Sequence, residues 1–295
     1  MRSDAFSKRH PAVNFVFFIA AICFGALFRH PAYLAAGIFA SGTYYILLNG
    51  RKSLSAIAKL LLLFIFITGI NPLFNTRGDT VLARPFGRPY TLEALIYGAA
   101  IASVLLITML WFGCWNKVMT GDKVTSLFGS VTPALSLLLV TVFRMVPEMI
   151  RRAKQIITAR RSIGKGGGTS GFKNKIKSGA ASLGALASLS LEGGVTAGDS
   201  MRSRGYGTAK RTSFSVFSMK KNDVFLIVFI VALTAAVAAF TVRGAARAEF
   251  LPESDFAPLS GANAAGFAAY CIFLLIPSVM HIKEVVSWNI SRSAI

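Results

Sequence analysis

Two short strings carry arginine close to a glycine: Ala159-Arg160-Arg161, with Gly164 three residues on, and Ser203-Arg204-Gly205. A guanidinium presents a rigid fork of donors that makes charge-assisted, often bidentate bonds to carboxylates. Exposed arginines at the end of a helix are therefore suited to gripping an acidic partner. A plainer reading fits each string alone: arginine answers the negative end of the helix dipole, glycine caps the last turn, and a basic stretch meets anionic lipid. Two such ends inside one basic segment favour a shared role as handles.

Other chemistries find less support. The stretch Gly164-Lys165-Gly166-Gly167-Gly168-Thr169-Ser170-Gly171 superficially suggests a phosphate loop. A phosphate loop places its lysine after the glycines at a strand-to-helix turn, and this stretch does not, so it reads as a flexible hinge. Cys23, Cys114 and Cys271 lie far apart in apolar surroundings, with neither metal-ligand spacing nor a disulfide framework. His10, His30 and His281 are isolated at the ends of apolar stretches, which suits an interfacial role better than ligation. Glu249, Glu253 and Asp255 form one acidic cluster, read as a solvated loop face. With no second aspartate within four residues of any other, a diphosphate-metal site has no basis. No catalytic residue, metal site or cofactor is expected.

The elements that position the arginines follow from composition. The chain has 295 residues, with 32 Lys+Arg against 12 Asp+Glu, yet only 15% of residues are charged and 54% are hydrophobic. The mean hydropathy is +0.59. Disordered chains are apolar-poor, and soluble nucleic-acid binders are not this apolar, so no nucleic-acid partner is expected. The balance describes an integral membrane protein whose charge lies outside the bilayer. A spanning helix needs about 20 mostly apolar residues. Charge-free windows occur at Pro11–Phe28, Pro31–Gly50, Leu60–Thr76, Ala94–Asn116 and Val224–Val242, and a sixth lies within Phe256–Ile282. The first reads as a membrane helix, not a cleaved signal, since no small-residue cleavage site follows it.

A seventh window, Val124–Phe143, is rich in Ser, Thr and Gly. With six spans and both termini cytoplasmic, 26 of the 32 Lys+Arg lie inside and 6 outside, in accord with the positive-inside rule. A seventh crossing would reverse that balance, so this window is expected in or under the membrane face. The predicted fold is all-α: a polytopic membrane protein with about six transmembrane helices and two long cytoplasmic helices. Residues 1–115 hold four spans, 116–221 the basic cytoplasmic segment, and 222–295 two spans.

The basic segment contains 18 basic and 4 acidic residues. Its first part reads as a helix over Pro133–Arg161, with Pro133 in the first turn and Pro147 kinking it. Val142, Met145, Val146, Met149, Ala153, Ile156 and Ile157 recur at helical spacing, and Glu148 can pair with Arg144 or Arg152. Such a helix can lie along the inner membrane surface. The second helix, Lys177–Arg204, is dominated by Gly, Ala and Ser, which let backbones approach closely. Each glycine costs about 1 kcal/mol of helix propensity relative to alanine, so tertiary packing must offset it.

In these stretches the sequence resembles the transmembrane T component of energy-coupling factor (ECF) transporters, the family that includes the membrane subunit of cobalt and nickel importers. Arg144-Met145-Val146-Pro147-Glu148-Met149-Ile150 resembles that family's Arg–hydrophobic–hydrophobic–Pro run. Ile156-Ile157-Thr158-Ala159-Arg160-Arg161-Ser162-Ile163-Gly164 resembles its first Ala-Arg-Gly coupling motif. Met201-Arg202-Ser203-Arg204-Gly205-Tyr206-Gly207, followed by Arg211-Thr212, resembles the second. His30-Pro31 and Asn71-Pro72-Leu73-Phe74 also match. The likeness covers roughly residues 10–245. Ser203 replaces the family's Ala, and alignment on Gly164 puts Ile163 where an Arg is usual.

The resemblance implies a non-catalytic scaffold of an ABC-type importer in the plasma membrane of a prokaryote. Two ATP-binding ATPase subunits would each receive an arginine from one coupling helix, at Ala159, Arg160, Arg161 and Gly164 or at Ser203, Arg204 and Gly205. A small membrane S component would capture a vitamin or metal ion such as cobalt. Three rival readings are an intramembrane enzyme, an autonomous channel or carrier, and a basic anchor on anionic lipid. The first lacks catalytic groups, the second lacks ionisable mid-span residues, and the third leaves the paired helix ends unexplained.

Overall fold

The computed structural model describes residues 4–50, 53–75, 80–84, 90–129, 133–164, 171–208, 217–244, 246, 248–249, 255–256 and 261–293. Its elements run α1 (Pro11–Leu27), α2 (Pro31–Asn49), α3 (Ser53–Phe74), β1 (Val81–Ala83), β2 (Tyr90–Thr91) and α4 (Leu92–Val118). They continue through α5 (Gly121–Gly129), α6 (Pro133–Ser162), α7 (Phe172–Ser203) and α8 (Lys221–Val242) to β3 (Ala248–Glu249), β4 (Asp255–Phe256) and α9 (Ala262–Ser293). The helices α2, α3, α4, α8 and the Asn263–Trp288 part of α9 are long and apolar enough to cross a membrane. The remaining apolar helix, α1, has 17 residues. The protein is an all-α, polytopic membrane protein. Among the described residues the strand content is two short antiparallel pairs, β1 with β2 and β3 with β4.

The chain divides into two compact units, residues 1–120 with 217–295, and residues 121–216. The first unit thus joins two stretches that are distant in sequence. Its core is aromatic. Phe17 on α1 lies 5.6 Å from Trp111 on α4 and 5.0 Å from Phe273 on α9, centroid to centroid. Tyr33 on α2 meets Tyr270 on α9 at 5.2 Å, and Phe6, ahead of α1, meets Phe17 at 5.2 Å. Offset and edge-on aromatic pairs at these separations add to the area they bury. The last apolar helix, α9, is therefore part of the core and not an appendage. Outward, α3 exposes Leu62, Ile65 and Phe66 by 62–73%, as a helix in contact with lipid acyl chains does.

Local chemistry sets the helix starts. Both α1 and α2 begin with His-Pro: the proline takes the first turn, and the Nδ1 of His10 or His30 accepts the N–H of Ala12 or Ala32 at 3.3 Å. These two histidines are caps. His281 is not the isolated residue its sequence context suggested. Its Nδ1 lies 2.8 Å from Asp4 Oδ1, and Tyr44 donates to Asp4 Oδ2 at 2.6 Å, with all three side chains buried. Arg9 pairs with the buried Asp223 at 3.2 Å, and Lys8 with Glu284 at 2.7 Å. The segment before α1 is thereby fastened to α2, α8 and α9.

Close approach explains some small residues. At Gly98 on α4, an added Cβ would sit 2.7 Å from Asn71 Cβ and 3.1 Å from the Thr68 carbonyl oxygen, so only glycine lets α3 and α4 come this near. The charge-free stretch 124–143 is shared between α5 and α6, and neither helix is among those apolar and long enough to span.

Candidate functional site

The second unit consists of α5, α6 and α7. Along α6, the half-buried residues Met145, Met149, Ala153, Ile156 and Arg160 recur every three or four positions, which puts them on one face. The matching face of α7 holds Ser178, Ser182, Leu186 and Ser190. Ser190 Oγ lies 2.9 Å from Met149 Sδ, while Arg160 lines a groove together with Gly179 and Lys175. Each turn forward on α6 is matched by a turn back on α7, so the two helices form an antiparallel hairpin. α6 continues through Pro147 as a single helix.

The two helix ends share one capping bond to a left-handed glycine. Gly205 has φ +80°, its N–H bonds to the Arg202 carbonyl at 2.9 Å, and the Tyr206 N–H reaches back to Met201 at 3.0 Å. This pair of bonds is the Schellman closure, which needs a residue free to adopt the left-handed conformation. Gly164 has φ +71°, and its N–H bonds to the Arg161 carbonyl at 3.0 Å. Superposing the caps matches Arg161-Ser162-Ile163-Gly164 with Arg202-Ser203-Arg204-Gly205. The counterpart of Arg204 is Ile163, which is 67% exposed. The counterpart of Arg161 is Arg202, which lies in the second motif string but was not among the expected coupling residues; the repeated Arg-Ser-x-Gly string was the signal for it.

Ala159, Arg161, Gly164, Arg202, Ser203, Arg204 and Gly205 are exposed. Arg160 turns the other way, towards α7, and its Nε is buried with no hydrogen-bond partner among the described residues. The hairpin keeps the two ends apart. From the turn of α7 facing Arg160, about 25 residues run to Arg204, or roughly 35–40 Å at 1.5 Å per residue.

Glu148 pairs with Arg152 at 3.0 Å and also with Arg151. The hydrogen bond from Arg152, followed by the charge of Arg151, holds its carboxyl below the usual glutamate range. α7 has 32 residues and none of them is buried. A Cβ added at Gly179, Gly184, Gly193, Gly194 or Gly198 would meet nothing within 4 Å. The close approach that these glycines permit is therefore not taken up by the described residues of the chain.

Residues 165–170, most of the expected hinge, lie outside the described residues, as do Arg211-Thr212 and Glu253. Glu249 and Asp255 are register partners in the β3–β4 pair. Among the described residues no cluster of three or more His, Cys, Asp or Glu could hold a metal ion. The arrangement can grip anions at two separated points and can bury an extended small-residue surface. No protein-family model matches this chain, and no curated protein matches it.

Proposed function

We propose that the protein is the membrane scaffold of an ECF-type ABC importer, and that the arginine-bearing ends of α6 and α7 engage two ATPase subunits. The observation that carries this reading is the repeated cap: two helices end in the same Arg-Ser-x-Gly turn, with exposed guanidiniums held some tens of ångströms apart. Each cap fixes the backbone below its arginines, so little further ordering is needed to present them to a carboxylate. The uncovered face of α7, with glycines open to approach, suits a partner that packs closely and moves.

In this reading, nucleotide-driven movement of the ATPases is passed through α6 and α7 to a separate membrane S component that captures a vitamin or metal ion. The apolar helices hold the complex in the plasma membrane of a prokaryote, with both termini and the basic segment cytoplasmic. ATP chemistry belongs to the partners.

The test is purification from the native membrane with identification of whatever accompanies the protein. Co-purification of ABC ATPases with the wild type, and their loss when Arg160, Arg161 and Arg204 are all changed to Glu, is the expected result. Full retention of the ATPases by that triple variant overturns the assignment.

A further inference from the structure

The groove between α6 and α7 has an unusual make-up. It has room for about 350 Å³ and is lined mostly by apolar groups, among them Ile157, Leu183 and Leu186. At the end where α6 stops and α7 starts, it also holds Arg160, Gly179 and Lys175. Arg160 Nε is fully shielded from solvent yet has no acceptor among the described residues. A buried donor without an acceptor forfeits its hydration for nothing, and a charged donor loses more. Tertiary contacts nonetheless hold it there, on the face of α6 that packs against α7. An anion at this point would restore the missing bond with a charge-assisted one.

The apolar remainder says what kind of anion. A free phosphate would use only the Arg160–Lys175 end and leave Ile157 and Leu183 exposed and Leu186 half-buried, as they are. A molecule with an anionic head and a hydrocarbon tail satisfies both parts. We propose that this groove binds one anionic phospholipid, its phosphate at Arg160 and Lys175 and an acyl chain along Ile157, Leu183 and Leu186. Gly179 makes the passage: a side chain there would project into open space and fill it. This lipid site does not rest on the ATPase reading: the two share only Arg160, and the lipid site uses its guanidinium as it faces into the hairpin, whereas Arg161 and Arg204 face out.

The experiment uses the full chain in detergent, with phosphatidylglycerol, phosphatidylcholine and inorganic phosphate as probes, and native mass spectrometry counting retained lipid. The expected result for the wild type is one strongly retained phosphatidylglycerol, preferred over phosphatidylcholine by about tenfold, because both lipids offer a phosphate but the choline ammonium would place a third cation beside Arg160 and Lys175. R160Q/K175Q removes the preference. G179L, which adds no charge and replaces a poor helix former, lowers retention of both lipids without lowering the melting temperature. K173Q/K177Q, with the same loss of charge on exposed parts of α7, keeps the preference. Three outcomes overturn the proposal: no preference in the wild type, equal loss in the K173Q/K177Q control, or displacement of phosphatidylglycerol by millimolar inorganic phosphate. Retention unaffected by G179L overturns the placement of the acyl chain.

Discussion

Arg161 and Arg202 occupy the same place in two different helix ends: each carbonyl accepts the N–H of the left-handed glycine three residues later, at 3.0 Å and 2.9 Å. Counting from the cap therefore pairs Arg161 with Arg202 and leaves Ile163 opposite Arg204. At the α6 end, Arg161 is the outward guanidinium, while Arg160 is directed at α7. Charge reversal at Arg161 should accordingly reduce co-purified ATPase more than charge reversal at Arg160, with R204E acting at the other end. Quantitative pull-down of the single variants checks this, and a larger loss in R160E than in R161E refutes the order.

The caps themselves should matter without any change of charge. Alanine at Gly205, which sits at φ +80°, must adopt a left-handed conformation costing about 1–2 kcal/mol. G205A should speed amide exchange at Gly205 and Tyr206, whose N–H groups close the turn, and weaken partner capture although every arginine remains. Hydrogen-exchange mass spectrometry reads the first effect and pull-down the second.

Asp4 is the hinge of a buried polar cluster, accepting from Tyr44 and facing His281. Removing it strands two buried groups, whereas removing only the Tyr44 hydroxyl strands one acceptor that retains another partner. D4A should cost about 3 kcal/mol and Y44F about 1–2 kcal/mol, from typical penalties for unpaired buried groups. Thermal melting in detergent should rank them D4A, then Y44F, then wild type; a reversed order would place the cluster's energy elsewhere.

Gly98 and Gly42 provide a matched pair in membrane helices. A Cβ at Gly98 collides with Asn71 at 2.7 Å, whereas one at Gly42 meets nothing within 4 Å. G98A should lower stability by about 1–3 kcal/mol, the usual cost of overpacking. G42A should leave it level or raise it. Melting curves for the two variants decide.

Glu148 should show a pH signature. Arg152 and then Arg151 hold its carboxyl below the ordinary value of 4.5. The pairing therefore stabilises α6 above that pH, and its contribution is lost as the pH falls through the lowered value. The group is exposed, so the effect is small and salt-sensitive. Amide exchange along α6, followed as the pH is lowered past 4.5, should accelerate in the wild type beyond its intrinsic trend. It should follow the intrinsic trend in E148Q.

Much of this was legible in the chain because it depends on local chemistry. Runs of apolar residues long enough to cross a bilayer identify α2, α3, α4, α8 and the middle of α9 wherever they pack. Pro133 and the helical spacing of Met145, Met149 and Ala153 mark α6, and Gly205 marks the end of α7, since few other residues tolerate its φ. The likeness between the two arginine strings is likewise a property of the sequence. What the sequence left open is which way each arginine points, because a helix places neighbouring residues about 100° apart and only a packed partner defines the inside. The α6–α7 register turns Arg160 inward and leaves Arg161 outside. In the same way, His281 lies 277 positions from Asp4, and α9 has no evident place until its aromatics meet those of α1 and α2. Local rules determine the elements, and the pairing of surfaces far apart in the chain decides which residues are buried and which are available to a partner.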